Sequence, residues 1–166
     1  WVLAAVVLGL LVAIPLIVRA RRRGAWTAEL TAAEAEVAWF ARILAPQLRQ
    51  AGSLDEVAGG WAVAAERVTG VEDRLTALEA SAPDETGRLR ALSLRDAVRT
   101  ARARVVDLLA GAATAPETGT ATTEAGPTGV ADVPGAIASA MDEVAAGLEA
   151  ALQAPAQTGW SETTAT

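Results

Sequence analysis

Four arginines, Arg88, Arg95, Arg99 and Arg102, recur at steps of seven, four and three residues. That spacing puts four guanidiniums on one face of a helix. Such a stripe could take phosphates of nucleic acid or lipid, or the carboxylates of a protein partner. A second set, Arg19, Arg21, Arg22 and Arg23, stands immediately after an apolar run. The other residue types that chemistry usually draws on are missing. The chain has no His, Cys, Tyr or Lys, so all fourteen basic residues are Arg.

These absences exclude whole classes of function. Without His and Cys there is no ordinary zinc or haem site and no thiol nucleophile. Without Lys there is neither a Schiff base nor a P-loop. Acid–base work would fall to Asp or Glu, and nucleophilic attack to Ser or Thr without a histidine base. A hydrolase would need an acid–Ser constellation that the sequence does not assemble, and pairs such as Glu72-Asp73 read as helix surface. The expectation is therefore no enzyme, no cofactor and no metal. Near-neutral charge over residues 1–110, fourteen Arg against thirteen acids, also argues against nucleic acid as a partner. Residues 111–166 carry seven acids and no Arg, which marks a boundary near Gly111.

The elements that position these residues are helical throughout, since helix formers dominate and β-branched residues do not alternate. Trp1 to Val18 carries no charge and, as a helix, spans about 27 Å, close to the hydrocarbon core of a bilayer at about 30 Å. It predicts a single-pass transmembrane helix over 1–18, with a basic juxtamembrane segment over 19–26. A signal peptide would carry its basic stretch before the apolar run, not after it. Trp1 and Trp26 bracket the span where tryptophan collects, at the headgroups. Arginines flanking a span stay on the cytoplasmic side, so the body is expected in the cytoplasm, attached to the plasma membrane. A basic segment preceding Trp1 would weaken or reverse that orientation. The same four arginines are candidates for anionic-lipid contact, although topology alone explains their presence.

Residues 27–111 read as a small antiparallel three-helix bundle or coiled-coil-like body. Leu30, Ala33, Val37, Phe40 and Leu44 form the first seam, ended or kinked by Pro46. Ser53-Leu54-Asp55-Glu56 is a capping box. Val57, Trp61, Ala64, Val68, Val71, Leu75 and Leu78 then alternate in steps of four and three. Gly59-Gly60 either admits a close neighbour or forms a turn before Trp61. Ser81 to Glu85 starts a third helix whose seam is Ala91, Leu94, Val98, Ala101, Val105 and Leu108. Trp39, Phe40 and Trp61 read as packing residues more readily than as pocket walls.

Residues 112–134 lack an apolar seam and are expected as a disordered linker. Residues 135–153 form a further amphipathic helix, and 154–166 a disordered polar tail. Ile137, Met141, Val144 and Leu148 are the anchors by which that helix would enter a partner's groove. The other outcome is that it folds back to complete a four-helix bundle, with the arginine stripe as its docking face. Gly59-Gly60-Trp61, Arg67-Val68, Glu72-Asp73-Arg74-Leu75-Thr76 and Leu94-Arg95-Asp96-Ala97-Val98-Arg99 resemble a group of single-pass membrane proteins of high-GC Gram-positive bacteria, over roughly residues 1–110. That resemblance implies location and nothing catalytic. The function expected is a membrane-anchored scaffold or adaptor that binds a protein partner or itself. The alternative is an accessory subunit of a membrane enzyme or transporter, packed through its transmembrane helix.

Overall fold

The computed structural model describes residues 2–113 and 133–154, with side chains from Arg19 onward. Within them the fold is all-α, with four packed helical arms and no strand. Helix α1 (Val2–Trp39) passes through a π-helical turn (Phe40–Leu44) into the short α2 (Ala45–Arg49). Helices α3 (Leu54–Ala80), α4 (Glu85–Ala113) and α5 (Val133–Gln153) follow.

Helix α1 runs without a break from the apolar segment into the amphipathic seam, about 57 Å in all. Pro46 explains the π-turn. Its missing N–H would leave a carbonyl without its donor in a regular helix. Instead the Ala45 N–H reaches back five residues to the Phe40 carbonyl, and Pro46 sits in the first turn of α2. One extra residue in a turn rotates the following face by about 100°. Ala45 and Leu48 are thereby buried, and α2 packs against α5.

The remaining boundaries follow capping chemistry. Ser53 Oγ accepts from the Glu56 N–H at 3.3 Å, while Glu56 Oε2 takes the Gly52 N–H at 2.7 Å, one residue upstream of the expected Ser53 N–H. Gly59 and Gly60 lie inside α3, not in a turn. A methyl group on Gly60 would stand 2.9 Å from a Leu48 methyl, whereas Gly59 faces open space. Asp84 caps α4 by accepting from the Gly87 N–H at 2.9 Å. Helix α4 runs two residues past the expected stop at Gly111.

The ion pairs fix the directions of the helices. Glu29 pairs with Arg74 and Glu36 with Arg67, so α1 and α3 are antiparallel. Glu79 meets Arg95 and Glu72 meets Arg99, so α4 returns along α3. Arg42 meets Glu149 and Arg49 meets Asp142, so α5 runs down against the π-turn and α2. The result is an up-down-up-down bundle in which α5 packs on α4, α2, the π-turn and α1. The separate fourth helix of the sequence reading is in fact the fourth wall of the bundle. Among the described residues the bundle is what covers its seam, and burying a large apolar side chain is worth about 1.5–3 kcal/mol.

The core is one cluster fed by every helix. All seven α3 seam residues are buried, as are Ala91, Leu94, Val98, Ala101 and Val105 of α4, while Leu108 is half-buried. Ile137, Met141, Val144 and Leu148 of α5 join them. Trp61 and Phe40 pack with ring centroids 6.1 Å apart, and the space between Val37, Phe40, Val68 and Val98 holds no water-sized void. Among the described residues no helix is long and apolar enough to cross a membrane. The expected span over 1–18 has its side chains outside the described residues. Of the linker expected over 112–134, residues 112–113 end α4 and 133–134 begin α5, while 114–132 and the tail beyond Ala154 lie outside the described residues.

Candidate functional site

Three arginines of the α4 stripe, Arg95, Arg99 and Arg102, reach carboxylates of α3 rather than of α5. Arg95 pairs with Glu79 and with Asp96, and Arg88 with Glu85 on its own helix. Arg99 Nε stands 2.9 Å from one oxygen of Glu72 and Arg102 Nε 3.2 Å from the other. Glu72 is the one buried charged residue among those described, and two guanidiniums offset its desolvation. The Arg102 contact is an ion pair without hydrogen-bond geometry, so Oε2 has no hydrogen-bond donor. Thus the docking face expected for the fourth helix is already occupied by α3 carboxylates.

Helix α5 is held by a different set of arginines. Arg90 is the central one: Nη1 donates to the carbonyls of Ala151 and Ala154, and Nη2 to that of Leu152. Its Nε donates to Glu34 on α1 at 2.9 Å. One guanidinium therefore caps the C-terminus of α5, where carbonyls lack donors and the helix dipole is negative, and ties it to α1. Arg42, Arg49 and Arg104 pair with Glu149, Asp142 and Glu143 along the exposed edges of α5. The hydrogen bond from Arg42 holds the Glu149 carboxyl below the usual range and raises the guanidinium above its own. The Arg88–Glu85 bond acts in the same way on its two groups.

The four anchors Ile137, Met141, Val144 and Leu148 are between 0 and 3% exposed, all inside this chain's own core. They have no surface left for an external groove. Between α4 and α5 lies an open groove of about 500 Å³, walled by Ala97, Ala101, Val144 and Leu148, with Arg104, Asp107 and Glu143 at its rim. Among the described residues no group of three acids is placed to hold a metal ion.

Arg19, Arg21, Arg22 and Arg23 differ from all the others. Residues 19–25 are exposed, and Trp26 is the first half-buried residue after them. Trp26 Nε1 donates to the Leu78 carbonyl at 2.9 Å, and its ring covers Gly87, where a methyl group would come within 2.7 Å of it. Trp26 thus pins α1 to the α3–α4 corner at the point where α1 leaves the bundle. Sequence reasoning placed Trp26 at a membrane interface and missed this contact; Gly87 directly after the Asp84 cap was its one visible sign. Arg67 stacks 3.8 Å above Trp39 while pairing with Glu36, so Trp39 serves packing. No protein-family model, no curated protein and no solved structure matches this chain.

Proposed function

We propose that this protein is a single-pass, membrane-anchored helical adaptor whose bundle lies on the cytoplasmic side and binds a protein partner without catalysis. The observation that carries the reading is α1 itself. One continuous helix, beginning at Val2, joins the uncharged run to the bundle, with four exposed arginines at the junction. A charged flank directly after an apolar run of this length is the pattern of a span with its basic end inside. The resemblance to single-pass membrane proteins points the same way. Partner contact belongs to the outer surface of the assembled bundle, because the seam of α5 is consumed internally.

One observation favours the second reading, an accessory subunit held through its span. Among the described residues, the stretch 19–25 of α1 that precedes Trp26 is exposed and not covered by the bundle. A pull-down from mild detergent, with the full chain and with a chain lacking residues 1–23, separates the two. An adaptor keeps its partner after the deletion and an accessory subunit loses it. Recovery of the full chain in an alkali-washed supernatant, not in the membrane pellet, would contradict both.

A further inference from the structure

The chain has fourteen arginines, and their pairing divides them sharply. All ten from Arg42 to Arg104 have an acidic partner within 4 Å. Among the described residues Arg19, Arg21, Arg22 and Arg23 have none, and the first acid after them, Glu29, is taken by Arg74. Among the described residues every other guanidinium is satisfied internally, and these four stand together without a counter-charge. We infer that these four form a collar that binds the phosphate headgroups of several anionic phospholipids around α1. The inference rests on the anchored reading above and names the ligand at its junction.

The spread of the four around the helix fits several lipid headgroups better than one bound phosphate. At about 100° per residue, Arg19, Arg22 and Arg23 fall within an arc of about 100°, and Arg21 lies outside that arc on the other side of the helix. Arg21 points away from the other three, so the four guanidiniums cannot all close on one anion. They can each meet a separate headgroup where a helix leaves a bilayer, because headgroups surround it on all sides. The exposed stretch 19–25 is about 10 Å long, comparable with the interfacial layer. The bundle beyond it carries ten Arg against sixteen acids in residues 24–113 and 133–154, a net −6, so an anionic surface repels the body and attracts only the collar. Each arginine near such a surface is worth roughly a fivefold preference for an anionic over a neutral headgroup.

The test uses the full chain and its R19Q/R21Q/R22Q/R23Q variant, incorporated into vesicles of equal phosphatidylglycerol and phosphatidylcholine. After alkali washing, mild detergent extraction and purification, the lipid retained on each protein is weighed by mass spectrometry. The expected result is several-fold excess of phosphatidylglycerol on the wild type and equal amounts of both lipids on the variant. Equal retention on the wild type overturns the collar. Alkali resistance reports the span separately. If the wild type washes off, the anchored reading fails, and flotation with vesicles of each single lipid decides the collar alone. Binding only to phosphatidylglycerol vesicles, reversed by salt and unchanged by matched inorganic phosphate at constant ionic strength, supports it. Binding to neither kind overturns it.

Discussion

The guanidinium of Arg90 donates to the carbonyl of Ala154 at 2.9 Å, so a residue near the start of α4 closes the last turn of α5. The same side chain, only 13% exposed, pairs with Glu34 on α1. Removing it leaves three carbonyls and a carboxylate without their donor. Arg90→Ala should cost about 2–4 kcal/mol, the range for a largely buried charge-assisted network. Amide exchange should accelerate over 133–154 first, with α3 changed least. Arg90→Lys should recover only part of the loss, because an ammonium cannot fork to several acceptors in fixed directions.

Val63 and Val68 stand five residues apart on α3, one 86% exposed and the other 1%. Val68→Asp puts an unpaired charge in the core and should cost several kcal/mol, enough to unfold a bundle of this size. Val63→Asp should stay within about 0.5 kcal/mol of the parent. Thermal melts of the two variants check this; similar melting temperatures would mean that the α3 seam is misassigned.

Three glycines inside helices predict three outcomes. Gly59→Ala meets nothing within 4 Å and should stabilise by about 0.5–1 kcal/mol through helix propensity. Gly60→Ala should come out near neutral, since the obstructing atom is the movable end of Leu48. Gly87→Ala should destabilise by about 1–3 kcal/mol, because the ring it meets is held by its bond to Leu78. Denaturant midpoints of the three variants give the order directly.

Acid should release the Arg42–Glu149 tie of α5. The Glu149 carboxyl lies below its ordinary value of 4.5 when paired with Arg42. Its contribution is thus complete above that value and is lost as pH falls through the lowered one. Exchange over 133–154 should therefore rise below about pH 4.5. Salt should matter much less. The pairs along the edges of α5 are exposed and contribute little each, while four anchors are fully buried. Release of α5 by salt alone would contradict this ranking.

The positions of the core were legible because periodicity is local. Val57 to Leu78 and Ile137 to Leu148 repeat at helical spacing, and burial follows whichever helix comes alongside. What the arginines do was not legible. Arg90, Arg95 and Arg99 share one helix, yet their partners lie on α1 and α5 or on α3, a choice made by the register between helices. The π-turn was half legible: Pro46 announced a break, but whether a helix stops or widens there depends on what α2 can bury. It buries Ala45 and Leu48 against the bundle. The collar was visible as a charge run, and its distinction emerged only once every other arginine proved to be paired.

The central claim is that α1 carries this bundle on a membrane from the cytoplasmic side. The chain contains no cysteine, so single cysteines can report position without background. Leu10→Cys lies in the uncharged run and Ser81→Cys on the exposed α3–α4 corner. With a membrane-impermeant maleimide, Ser81→Cys should stay unlabelled in intact cells and label fully once the membrane is opened, while Leu10→Cys should label only after detergent denaturation. Labelling of Ser81→Cys in intact cells, or of Leu10→Cys as fast as Ser81→Cys in opened ones, would contradict the account.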